Sequence, residues 1–204
     1  MNRSNLTVPP EGAPVPAPHP DAPVGVPLGP HYARCFGCGP DHPTGLHLEA
    51  VSEDGLGVSA TFTVGDVHQG APGLAHGGVL ATAMDEALGM VVWLLRKPYV
   101  TGRLETDYVL PVPVGATLYI RTRCTGVVGR KAYLEAEARM DAVDGPVAVR
   151  AAALFVEVPV AHFERHGAGT SGGDGAATSG GAGTSGGGAG GVASAADLGR
   201  RVNP

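Results

Sequence analysis

One stretch restricts the fold of this chain more than any other. Residues 76–95 are rich in alanine, free of proline and apolar on nearly every side. That pattern predicts a helix needing cover all round, unlike a surface helix with one wet face. Arg96 and Lys97 stand where cations complement the C-terminal end of the dipole, and Pro98 ends the run.

The flanking residues predict the cover. Residues 45–51 alternate apolar and polar, as a half-buried strand does, and Asp54-Gly55 supplies a turn. Residues 56–64 then put Val58, Ala60, Phe62 and Val64 on one face, completing a hairpin. Four strand-like runs follow the helix. Residues 100–110 are closed by Pro111 and Pro113; 116–124 and 131–140 alternate; 147–158 follow the turn Asp144-Gly145-Pro146. Short links between these four predict an antiparallel meander. The expected class is α+β, an antiparallel sheet of about six strands wrapped around one long central helix.

The ends read differently. Nine prolines fall in residues 1–30, predicting an extended, solvated, disordered arm. Residues 164–204 are dominated by Gly, Ala and Ser with little to bury, predicting a disordered tail. Residues 31–163 remain as one domain of about 130 residues, long enough for a core of its own. No basic region with a continuous apolar stretch opens the sequence. The longest apolar run, 87–95, falls well short of the ~20 residues a membrane helix needs. The expectation is a cytoplasmic protein with no membrane partner. A net charge of −5 and 5% aromatic residues give no support to nucleic-acid binding.

Two features of the helix carry chemistry. His76-Gly77-Gly78 opens it, where backbone N–H groups lack intrahelical partners and the dipole is positive. Glycines there either fit a tight junction or let a ligand approach the backbone closely. Such a terminus suits a carbonyl oxygen that gains negative charge during reaction. Asp85 and Glu86 are the only charges between His76 and Arg96, and a buried carboxylate is usually paired or functional. Asp85 follows Gly78 by about 700° of rotation, on nearly the same face but roughly 10 Å along. One helix therefore cannot both polarise a carbonyl and direct attack at its carbon. Two copies packed side by side in opposite directions can, so the geometry asks for a dimer with two shared sites. Glu86 lies about 100° away and is the weaker candidate.

The stretch from Gly70 through His76-Gly77-Gly78 to Asp85 and Gly89, with the later Tyr108 to Pro113 segment, resembles the signature of the PaaI-like hotdog thioesterases. The likeness implies a hotdog fold, homodimers or homotetramers, and hydrolysis of acyl-CoA thioesters with no cofactor beyond the substrate's own coenzyme A. It implies that N–H groups near Gly77 or Gly78 bind the thioester oxygen, with Asp85 of the other chain as nucleophile or general base. It also implies that Thr101 positions water, that His76 is a ligand or loop organiser, and that Arg130 and Lys131 face coenzyme A phosphates. Two rival readings remain. One is a MaoC-type enoyl-CoA hydratase, for which Asp66 and His68 lie in the right loop. The other is a non-catalytic acyl-CoA-binding hotdog protein.

Cys35 and Cys38 resemble half a zinc ribbon. A second Cys pair is missing, and His31, His42 and His47 fit no standard spacing. The expectation is a structural leader without metal.

Overall fold

A computed structural model describes residues 4–167. Its strands are β1 (Pro27–Leu28), β2 (Glu49–Ser52), β3 (Gly57–Thr63), β4 (Tyr99–Tyr108), β5 (Thr117–Val128), β6 (Lys131–Met140) and β7 (Val147–Glu157). Helix α1 (Gly77–Trp93) separates β3 from β4, and α2 (Ala161–Gly167) follows β7. The seven strands form one antiparallel sheet in the order β1-β2-β3-β5-β6-β7-β4. The sheet exceeds the expected six strands by the two-residue β1.

The sheet curves around α1, and the alternation of each strand sets the contact. Val58, Ala60 and Phe62 of β3, Leu118 and Ile120 of β5, Ala132, Leu134 and Ala138 of β6, and Val149, Ala151 and Ala153 of β7 are buried with Leu80, Met84, Leu88 and Val91 of α1. Alanines on the central strands let the helix sit close, while its long side chains fill the remaining space. Each such Leu or Met removed from water contributes roughly 1.5–3 kcal/mol before entropy is counted. The cover is not complete. Gly78, Thr82, Asp85, Gly89 and Trp93 form a stripe along α1 that is exposed at Gly78 and half-buried beyond it. Thr82, Asp85 and Glu86, which break the apolar pattern, are all only half-buried.

The expected four-strand meander is incorrect. Only β5, β6 and β7 form one; β4 pairs with β7 at the far edge, and β5 pairs with β3. The β4–β5 link explains the difference. Pro111 and Pro113 cannot donate to a ladder, and the link runs back past the start of α1 instead of closing a hairpin. It is held by Ala75 N–H donating to Val112 O (2.8 Å), Gly115 N–H donating to Val64 O (2.7 Å) and a bridge between Leu74 and Pro113.

The arm is extended, as its prolines require, but it is not solvated along its length. Val127 N–H donates to Pro14 O (2.8 Å), His19 N–H to Leu94 O (2.9 Å) and Gly25 N–H to Ser52 O (3.0 Å). Thr7 is buried, and both Ser4 and Thr7 donate hydrogen bonds to Glu105 of β4. A Cβ on Gly126 of β5 would meet Ala13 and Pro9, so the arm crosses the outer face of the sheet directly on the backbone. The tail begins inside α2; from residue 168 it lies outside the described residues.

Candidate active site

The loop before α1 is folded by its own backbone. His76 N–H donates to His68 O (2.8 Å), and Gly70 N–H to Leu74 O (2.9 Å). A Cβ on Gly70 would lie 2.8 Å from His76 Cα, so only glycine allows the loop to press on the start of the helix. His76 is the N-cap, with extended backbone, and its Nδ1 accepts from Gly78 N–H at 3.0 Å. The two glycine amides are therefore unequal. Gly78 N–H is spent on the cap, whereas Gly77 N–H has no hydrogen-bond partner among the described residues. Tyr108, ending β4, donates its hydroxyl to Gly77 O at 2.9 Å.

Two turns along α1, Asp85 meets β4. Thr101 Oγ1 donates to Asp85 Oδ1 at 2.9 Å. A bulge between Thr101 and Arg103 shifts the β4–β7 register at this point, a device that re-aims a side chain at the end of a ladder. Burial pushes the Asp85 carboxyl up, and the Thr101 hydrogen bond pulls it partly back. A cavity of about 320 Å³ opens beside the pair. Met90, Trp93, Tyr99, Val100, Phe155 and Phe163 supply its apolar walls, and His31, Glu86 and Lys97 its other polar lining. His76, Gly77 and Gly78 do not line it.

One chain therefore brings Asp85 and Thr101 together and keeps the helix N-terminus apart from them. Arg130 and Lys131 stand at the exposed β5–β6 turn; Arg130 Nε donates to Glu157 O at 2.9 Å, and neither residue lines the cavity. Lys131 pairs in register with Val156, one position from the Phe155 that pairs with Thr101, so both lie at the same end of the sheet as the cavity. The pairing that a hydratase would need is absent from this loop. Asp66 is exposed, while His68 is buried with its ring edge-on to Phe62 and its Nδ1 accepting from Gly65 N–H.

Sequence reasoning missed one convergence. Cys38 Sγ lies 3.2 Å from His31 Nδ1, which is 3.4 Å from Glu86 Oε1, and Cys35 Sγ lies 3.6 Å from Glu86 Oε2. The closeness of the two thiols lowers Cys35 and raises Cys38, while burial raises the Glu86 carboxyl. The signal available was Glu86 itself, one of two charges on a largely apolar helix, with no cation nearby in sequence.

Residues 72–142 match the family model of the thioesterase superfamily. Over these residues the chain is similar to the thioesterase superfamily, and its fold is the hotdog fold of the PaaI proteins. It is similar to acyl-coenzyme A thioesterase THEM4 of Xenopus laevis, 31% identical over 97 residues, 48% of this chain and 43% of that protein. An uncharacterized protein of Schizosaccharomyces pombe is 35% identical over 97 residues, 46% of this chain and 55% of its own. The chain thus spans about half the length of the curated relatives it matches. A solved thioesterase superfamily protein shares 30% identity at a TM-score of 0.56, covering 61% of each chain. The PaaI protein of Escherichia coli shares the fold at 17% identity and a TM-score of 0.52, over 56% of this chain and 81% of that one. Among the described residues, no helix is long and apolar enough to cross a membrane.

Proposed function

We propose that the chain hydrolyses acyl-CoA thioesters to a free acid and coenzyme A, in a site built by two protomers. The observation that carries this reading is the Thr101–Asp85 hydrogen bond at the mouth of an apolar-walled cavity. Thr101 fixes Oδ1, leaving Oδ2 to attack the thioester carbon or to take the proton of an attacking water. Attack turns the carbonyl into an oxyanion, and its collapse breaks the C–S bond. The departing thiolate takes a proton from water, through Asp85 when that group acts as base. If Asp85 itself attacks, water then hydrolyses the resulting anhydride to the free acid. The oxyanion needs a fixed donor, and Gly77 N–H at a helix N-terminus is the one left uncommitted. Because Gly77 and Asp85 stand well apart on one helix, the donor comes from a second copy. The half-open stripe of α1 and the singly paired edge strand β4 are the surfaces a second copy would cover. The acyl chain then lies along Met90, Trp93 and Phe155. Arg130 and Lys131, at the same end of the sheet, are suited to the phosphates. The similarity to proteins named acyl-coenzyme A thioesterase supports the substrate class.

The test mixes purified protein with a panel of acyl-CoAs and follows free thiol, beside Asp85→Asn. Release by the native protein and a loss of about 100-fold or more in the variant are expected. Binding of acyl-CoA without thiol release would overturn hydrolysis and leave a binding protein.

A further inference from the structure

The Cys-x-x-Cys leader has no part in the hydrolysis described above, yet it is folded over one residue of α1. His31, Cys35, Cys38 and Glu86 each offer a ligand atom, and all these atoms lie within 4.8 Å of one another. A zinc ion with bonds of about 2.3 Å to sulfur and 2.0 Å to nitrogen or oxygen sets its ligands on a tetrahedron whose edges are roughly 3.3–3.8 Å. The separations of 3.2, 3.4 and 3.6 Å between neighbouring donors lie close to such edges. His31 Nδ1 is the atom nearest both Cys38 and Glu86, so the imidazole points into the cluster.

The backbone is shaped to this convergence. A Cβ on Gly37 would lie 2.2 Å from Glu86 Oε2, so the carboxylate occupies the space any other residue would need. A Cβ on Gly39 would lie 2.4 Å from Cys35 N, which keeps the loop between the thiols tight. Gly37 N–H points at Cys35 Sγ at 3.3 Å, a contact that favours sulfur in its anionic form. Charge argues the same way. A carboxylate only 13% exposed, held against the thiols, has one positive partner among the described residues, a histidine that is itself 42% exposed. A divalent cation would satisfy both thiolates and the carboxylate together.

We propose that His31, Cys35, Cys38 and Glu86 form a zinc site that clamps the N-terminal leader onto α1. Two thiolates, an imidazole and a carboxylate are a borderline-soft donor set, which selects zinc over magnesium or calcium. Four protein ligands close the tetrahedron, so the ion is structural and leaves no position for substrate. Its effect on the catalytic site is positional: Glu86 adjoins Asp85, and His31 lines the cavity beside it. The spacing looked incomplete because the fourth ligand comes from the helix and not from a second Cys pair.

The test reads metal and not turnover, so it is independent of the proposed hydrolysis. Full-length chain, purified reduced and without added chelator, is analysed for metal content, then stripped and titrated with cobalt(II) alone and zinc alone. Expected are about one zinc per chain and, with cobalt, the intense visible bands of a tetrahedral ion with thiolate-to-cobalt charge transfer. Zinc should displace the cobalt. Cys38→Ser should weaken zinc binding at least tenfold and cut the charge-transfer band, and Glu86→Gln should weaken binding while keeping that band. The cobalt spectrum of the native chain decides the matter even if a variant fails to fold. A folded, reduced chain that gives only the pale spectrum of octahedral cobalt overturns the site. So does zinc content no greater than in a Cys35→Ser, Cys38→Ser double variant, or a native Cys35–Cys38 disulfide that excludes metal.

Discussion

At the scale of single residues, Thr101 and Asp85 depend on each other in a way that kinetics can separate. The threonine hydroxyl donates to a half-buried carboxylate, and a hydrogen bond to a charged group is worth about 1.5–3 kcal/mol. Thr101→Val keeps the shape and removes that donor. It should lower kcat by roughly 10- to 100-fold, with KM changed little, since in the proposed site Thr101 orients the attacking group and does not hold coenzyme A. A rise in KM at constant kcat, measured over the same acyl-CoA panel, would place Thr101 in substrate binding instead. Asp85 stands out in the sequence because an acid on a greasy helix must be explained, and Thr101 because a resemblance supplies its spacing; the structure brings the two side chains together. The division of duty between Gly77 and Gly78 was not legible. It depends on the rotamer of His76, whose Nδ1 caps one amide and leaves the other. Glu86 was read as the spare of an acidic pair, since nothing local shows that the leader folds back onto α1.

At the scale of elements, the helix and the individual strands followed from periodicity, while strand order and the arm did not. Alternation says which face of a strand is buried but not which neighbour it pairs with. The placement of β4 beside β7 was set by a proline-bearing link too long and too donor-poor to close a hairpin. The arm was misread for a related reason. Proline removes N–H donors but leaves every carbonyl, and the carbonyl of Pro14 is what Val127 uses. The arm's first anchor is electrostatic. The Ser4 hydroxyl, followed by Arg103 and Thr7, holds the Glu105 carboxyl down at about 2. With its folded value depressed, Glu105 contributes to the docked arm above the ordinary carboxylate range, and that contribution disappears as pH falls toward 2. Protection of the Val127 amide against hydrogen exchange, followed from neutral pH down to pH ~2, should therefore fade in acid. Glu105→Gln should give the weakened protection already at neutral pH. Protection that is independent of pH and equal in the variant would show that the arm is held by its apolar contacts alone.

At the scale of the whole molecule, the shared site makes a claim that no single-chain measurement can imitate. Each proposed site takes Gly77 N–H from one chain and Asp85 with Thr101 from the other. Gly77 is the first residue of α1, a position where proline is well tolerated because its missing N–H is not used by the helix. The residue before it, His76, already has the extended backbone that proline demands of its predecessor. A Cβ at Gly77 meets nothing closer than the Tyr108 ring at 3.5 Å. Gly77→Pro should therefore remove the proposed oxyanion donor while leaving the helix intact. Gly77→Pro homodimers lack both donors, and Asp85→Asn homodimers lack both carboxylates, so each should be inactive. In a mixed dimer, the Asp85→Asn chain still offers its Gly77 amide to the intact Asp85 of its partner, restoring one site of two. Random pairing of equal amounts makes about half the dimers mixed, so thiol release should return to about a quarter of the native rate. Co-expression with different tags, followed by tandem purification of mixed dimers, should raise that to about half. If the two inactive chains stay inactive when paired, donor and carboxylate belong to the same chain, and the antiparallel pairing of the two α1 helices is wrong.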